Sequence, residues 1–244
     1  MEVIMLPKIN HQLTTLEIPS SKNKIQVRPM LGREEKLLLM AKESGPTDRD
    51  ADILQAIKQS VTNCIVSPKN VDVDKFATFD LEYLFIRLRE ISVATTIKVS
   101  YRDGEDEQVY DFEIPLKDIQ VKFPEGVNKM IEVNDNVAIR MKYPEAALYN
   151  DEEFKKAEGK LMMDLLIKKS IDSVIQDGTT YCFADAPAEE QETFVDELPM
   201  KTLENIREFL VNVPKVYYKI SYKNSLDHER EIELSTLNDF FTLA

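Results

Sequence analysis

The chain has 244 residues, 43% of them hydrophobic, enough for one large or two modest domains with a proper buried core. It carries 31 basic against 44 acidic side chains, a net charge of −13. That balance argues against general nucleic-acid binding and against adsorption to anionic lipid, since both draw on lysine and arginine.

In chain order, residues 13–18 and 25–28 read as two strands. They are stopped by Pro19 and Pro29 and joined by the polar turn Ser20-Ser21-Lys22-Asn23. Residues 33–43 are rich in helix formers and end before Gly45-Pro46. A second helix, capped by Asp48 or Asp50, carries Ile53, Leu54, Ile57, Val61, Cys64 and Ile65 at helical spacing. Asp80 is the expected cap of a third, with Leu81, Leu84, Phe85, Leu88 and Ile91 on one stripe. Glu82, Arg87, Arg89 and Glu90 then fall on a solvated or interface side.

The middle reads as β-structure. Ile97, Val99 and Tyr101 alternate with polar residues, Asp103-Gly104 begins a turn whose tip Glu105-Asp106-Glu107 keeps wet, and Tyr110, Phe112 and Ile114 return. Residues 130–133 and 137–141 form two more strands about the turn Asn134-Asp135-Asn136. After Tyr143-Pro144 a long helix is expected over 152–174, with Leu161 to Ile167 buried on most sides. Residues 170–200 hold no Lys or Arg but eight acids: Asp172, Asp177, Asp185, Glu189, Glu190, Glu192, Asp196 and Glu197. They read as a solvated helix over 188–198 with Phe194 and Leu198 inward, or as a docking surface for a basic partner. A last helix carries Leu203, Ile206, Phe209 and Leu210 up to Pro214. Strands follow at 216–222 and 231–234, then an aromatic tail that must be packed. The expected fold class is α+β, with helical layers on antiparallel strands and hairpins in two lobes. The segments are 6–92, 93–143 and 144–244.

Little in the inventory points to catalysis. Cys64 and Cys182 form no CxxC pair and read as two buried free thiols. The six glycines build no phosphate-binding loop. His11 and His228 are too few for a three-histidine zinc site and read as surface or satisfied polar residues. No apolar run approaches the roughly 20 residues that span a bilayer, and the start lacks a basic region typical of signal peptides. The reading expects no cofactor and no metal. Two carboxylates suffice for a glycosidase-like hydrolase, so that alternative stays open.

Several phrases stand together in order. Leu6-Pro7-Lys8 precedes the Leu-Thr-Thr-Leu strand, and Val27-Arg28-Pro29-Met30-Leu31 runs into Glu34-Glu35-Lys36-Leu37-Leu38. Asp80-Leu81-Glu82-Tyr83-Leu84-Phe85 leads to Arg87-Leu88-Arg89, and Arg140-Met141-Lys142-Tyr143-Pro144 closes the β region. Phe194-Val195-Asp196-Glu197-Leu198-Pro199 and Leu237-Asn238-Asp239-Phe240-Phe241 complete the set. Together they resemble the T-even (T-four-like) phage baseplate hub family, which holds the hub subunit and the hub assembly catalyst of contractile-tailed phages. The hairpin over 97–114 has no cysteines, so no zinc site of the kind expected in some relatives is carried over.

The resemblance implies a non-enzymatic structural protein of the tail, folded in the host cytoplasm and ending in the virion baseplate. Its partners would be other hub or wedge proteins, held through permanent interfaces, with no nucleic acid and no membrane. An assembly chaperone that leaves before the tail matures is the alternative within the family. Interfaces are anchored by a few aromatic or arginine side chains; the candidates are Arg28, Arg87, Arg89, Tyr217, Phe240 and Phe241.

Overall fold

A computed structural model describes residues 9–43 and 49–240. The fold is mixed α+β, with helices packed on several small antiparallel sheets. β1 (Thr14–Glu17) and β2 (Lys24–Val27) pair with Thr14 facing Val27 and Glu17 facing Lys24. α1 (Gly32–Lys42) and α2 (Arg49–Cys64) follow. Asp50 lies inside α2 rather than capping it, and Asp48 falls outside the described residues. The chain passes from Cys64 straight into β3 (Ile65–Ser67), antiparallel to β2. Ile65 is therefore a strand residue, in keeping with the β preference of the branched pair Ile65-Val66.

α3 (Thr78–Ser92) begins after Ala77, so Asp80 is the third helical residue and not the cap. Its carboxylate caps from inside. Oδ2 accepts the Ala77 N–H at 3.2 Å and the Ser20 hydroxyl at 2.5 Å, while Oδ1 accepts the Ser20 N–H at 2.8 Å. One side chain thus satisfies an orphan helical donor and fastens the β1–β2 turn. The helix is buried on most sides, Ile86 and Arg87 included. The solvated or interface side expected to carry Arg87 is instead covered within the fold by residues 116–119.

β4 (Thr96–Arg102) and β5 (Val109–Pro115) form a hairpin in register from Thr96↔Pro115 to Arg102↔Val109. β6 (Gln120–Lys122), β7 (Met130–Asn134) and β8 (Val137–Met141) follow, the last two joined by the expected turn. The helix expected over 152–174 is broken. α4 (Glu152–Lys156) stops, α5 (Gly159–Ser170) starts anew, and the remainder is β9 (Ile171–Gln176), paired with β10 (Thr179–Cys182). Gly159 sits at φ +55° and interrupts the helical path; Asp177 and Gly178, at φ 50° and 78°, make the tight turn of the β9–β10 hairpin. The branched residues Ile171, Val174 and Ile175 favour the extended state.

α6 (Ala188–Asp196) and α7 (Met200–Val211) lead to β11 (Lys215–Lys223), β12 (Glu229–Leu234) and α8 (Leu237–Phe240). The sheets run β1-β2-β3, β10-β9-β8-β7, β12-β11-β6 and β4-β5. Three apolar clusters hold them. One joins the first sheet to α2 and α3 through Val27, Val61, Leu81 and Leu84. A second packs Ile139, Met141 and Ile167 against Ile206 and Phe209. The third collects Ile86, Ile114, Leu116, Val216 and Phe240, so the C-terminal strands pack with the central hairpin and with α3.

Candidate interaction surfaces

The residues singled out from the sequence fall in contrasting places. Arg28 is buried, and its guanidinium forms a two-pronged pair with Glu34, Nη2 to Oε1 at 2.8 Å and Nη1 to Oε2 at 3.1 Å. Burial alone would push the Glu34 carboxyl up. The Arg28 guanidinium, the Leu31 N–H and Arg33 outweigh it and bring the group to about 2. Arg87 is also buried. It donates to the carbonyls of Leu116 and Ile119, the latter at 3.0 Å, and pairs with Glu90 at 2.7 Å. Arg89 is half-buried, its pKa lowered by burial and supported by Glu35. Tyr217 is half-buried on β11; its hydroxyl donates to Glu233 at 3.0 Å and Lys122 Nζ lies 4.4 Å from its ring centre. Phe240 is buried in the third cluster, and Phe241 lies outside the described residues.

The acidic turn over 103–107 stays exposed at Glu105 and Glu107, as expected, but is also docked. Tyr222 donates to Asp103 Oδ2 at 2.7 Å, and Arg230 reaches Asp103 Oδ1 at 3.2 Å and Glu105 Oε2 at 3.4 Å. Asn224 Nδ2 donates to Glu105 Oε2 at 2.8 Å, and His228 Nδ1 lies 2.8 Å from Glu105 Oε1. Asp106 Oδ2 accepts from Tyr110, from the Ser225 N–H and from the Ser225 hydroxyl. The turn, wet at its tip, also forms a clasp that locks the β4–β5 hairpin to the end of β11–β12. Acceptor-only carboxylates meet a turn rich in donors, which sequence spacing across more than a hundred residues does not reveal.

The eight acids between 172 and 197 behave differently. All are exposed, and none forms an ion pair with a described residue. Glu189 and Glu190 occupy the first turn of α6, where negative charge is favourable. Val195 and Leu198 turn inward with Phe194 half-buried, so the expected helix forms with its polar side bare. Exposed carboxylates such as those of α6 attract opposite charge and repel their own kind.

Other chemistry-bearing groups are scattered. Cys64 is buried, with its thiol pushed up to about 11 chiefly by burial, but Cys182 is exposed, on the edge strand β10 whose four residues are all exposed. Asp80 reaches a groove beside Ile18 and Phe76, yet its oxygens are occupied by Ser20 and Ala77. Burial drives the Glu82 carboxyl up to about 7, against the pull of Lys215. Among the described residues no group of three or more His, Cys, Asp or Glu side chains could hold a metal ion, and no helix is long and apolar enough to cross a membrane.

Neither the curated proteins nor the solved structures include a match to this chain. The family model described as T4 bacteriophage base plate protein matches residues 10–242, nearly the whole chain and every element from β1 to α8. The chain therefore belongs to the T4 bacteriophage base plate protein family.

Proposed function

We propose that this protein is a structural component of the baseplate hub of a contractile phage tail, retained through permanent interfaces with other hub or wedge proteins. Family membership over residues 10–242 carries the reading. The surface supports it: the eight exposed acids between 172 and 197 form no ion pair with a described residue, in keeping with a partner that presents basic residues. The protein folds in the host cytoplasm and works by shape and burial, with no bond chemistry. A net charge of −13 limits self-association before assembly.

Mass spectrometry of purified tails tests this. The expected result is the chain present in mature tails at a fixed ratio to the other hub proteins. Absence from tails, with presence in assembly intermediates, would assign it instead to a transient assembly chaperone.

A further inference from the structure

β7 and β10 are the two edges of the sheet β10-β9-β8-β7, and α7 packs beside β7. Between them lies a groove of about 720 Å³. Phe209 and Ile131, both buried, contribute apolar surface to it. Glu125, Glu132 and Glu208 line it, all three exposed and none in an ion pair with a described residue. Asn205 and Asn212 add carboxamides, and no lysine, arginine or histidine is among the described lining residues. The adjacent Lys129 does not neutralise it, since its ammonium sits 3.9 Å from the ring centre of Tyr143.

The main chain of β7 is open toward this groove. The Lys129 carbonyl accepts from the Met141 N–H at 2.7 Å, and Ile131 faces Ile139. Antiparallel alternation then turns the N–H and C=O groups of Met130 and Glu132 to the outer edge. The Met130 N–H is covered by Asn128 Oδ1 at 2.9 Å. The Met130 carbonyl and both main-chain groups of Glu132 are left for an added strand. Charge selects what can be added: an acidic segment would meet three carboxylates that no described residue pairs with, while a basic one would neutralise them.

We infer that this groove takes an extended, lysine- or arginine-bearing segment of another protein, bound as a fifth strand along β7. Main-chain bonds to Met130 and Glu132 supply the alignment, and basic side chains on the two faces of the added strand reach Glu132 on one face and Glu208 of α7 on the other. The site is separate from the acidic surface of α6 and concerns a different contact.

The test uses the full chain and a short blocked peptide of valine and threonine with lysine or arginine at adjacent positions, so that both faces of the added strand carry positive charge. The peptide should bind and slow amide exchange at residues 130–134. Together, E125Q, E132Q and E208Q should weaken binding about tenfold at roughly 0.1 M salt; E189Q, E190Q and E192Q should leave it unchanged. A peptide of equal charge with alternate N-methylated amides should not bind. Exposed Glu→Gln changes keep the fold, which far-UV circular dichroism checks. The inference is overturned if the first peptide fails to bind, if the N-methylated one binds equally, or if both triple variants weaken binding alike. It is also overturned if the wild type sediments as a dimer that the groove triple dissociates, since the occupant would then be a second copy.

Discussion

Tyr222 on β11 donates its phenolic hydroxyl to Asp103 Oδ2 at 2.7 Å, joining two hairpins 119 residues apart. Asp103 is fully buried and also accepts from the Glu105 N–H and from Arg230. Tyr222→Phe removes one donor and leaves two. Its melting temperature should fall by about 2–4 °C in differential scanning calorimetry. Asp103→Ala, which strands three donors at once, should lose more. Equal or higher melting temperatures would mean that the clasp contributes nothing.

The same clasp dictates a pH response at both ends. The Tyr222 hydroxyl, and then the Glu105 N–H, hold Asp103 below its ordinary range. Burial would raise Asp106, but Tyr110, Gln108 and Ser225 outweigh it and bring it well below that range. Carboxylates depressed in the fold contribute stability present above their unfolded value near 4, lost as pH falls through the lower folded value. Tyr222 is pushed up to about 12, by burial and then by Asp103. Its contribution is present below the unfolded value near 10 and is lost as pH rises through about 12. Urea midpoints should therefore drop below pH 4 and again above pH 10, and the D103N/D106N double variant should show a shallower acid limb.

Arg28 and Glu34 form an interior pair whose removal should be asymmetric. Glu34 is 0% exposed, and Glu34→Gln leaves the Arg28 guanidinium with only part of its compensation. A loss of about 3 kcal/mol is expected in urea unfolding at pH 7. Replacing both together, Arg28→Met with Glu34→Leu, should cost less than the single change. A double-variant cycle showing simple addition would contradict the coupling.

Much of this architecture is legible from local pattern, and the misreadings have identifiable physics. The turn Asn134-Asp135-Asn136 and the stripe ending at Pro214 form where punctuation and period agree. The helix expected over 152–174 fails where they conflict: helix formers on both sides of Gly159 conceal a positive φ, and Asp177-Gly178 was the available hairpin signal. The clasp and the burial of Arg87 were not legible, because each depends on segments brought together only by the fold. The acidic stretch was legible as composition, but whether its charges are paired is a property of the packed chain.

Gly159 gives a direct test of that break. An added Cβ would meet nothing within 4 Å, so the penalty of Gly159→Ala comes from φ +55° alone. A loss of about 1 kcal/mol is expected. Gly159→Asn should lose less, because asparagine tolerates the left-handed region. A stabilised alanine variant, with helix content raised in circular dichroism, would mean that α4 and α5 fuse readily.

Glu82 is a site where neutralisation should help. Burial lifts its carboxyl to about 7, with Lys215 opposing. A raised folded value means the favourable contribution is complete below the unfolded value near 4.3 and is lost as pH rises through about 7. Glu82→Gln should therefore stabilise the protein at pH 8 by about 2 kcal/mol, after allowance for its partial exposure, and change little at pH 4.5. Urea unfolding of both proteins at the two pH values reads this directly. A variant no more stable at pH 8 than the wild type would show that the carboxylate finds compensation in the fold.

The exposed acids of α6 separate stability from assembly. Glu189, Glu190 and Glu192 make no ion pair with a described residue, so E189Q, E190Q and E192Q together should move unfolding by no more than about 0.5 kcal/mol. The third change removes like-charge repulsion, while the first two forgo a small interaction with the helix N-terminus, and the two effects offset each other. If this surface meets a basic partner in the baseplate, the same variant should enter tails less efficiently in competition with wild type. Competitive incorporation, scored by mass spectrometry of tails from cells supplying both forms, measures this. Equal incorporation with unchanged stability would remove the α6 acids from the interface and leave them as solubilising charge.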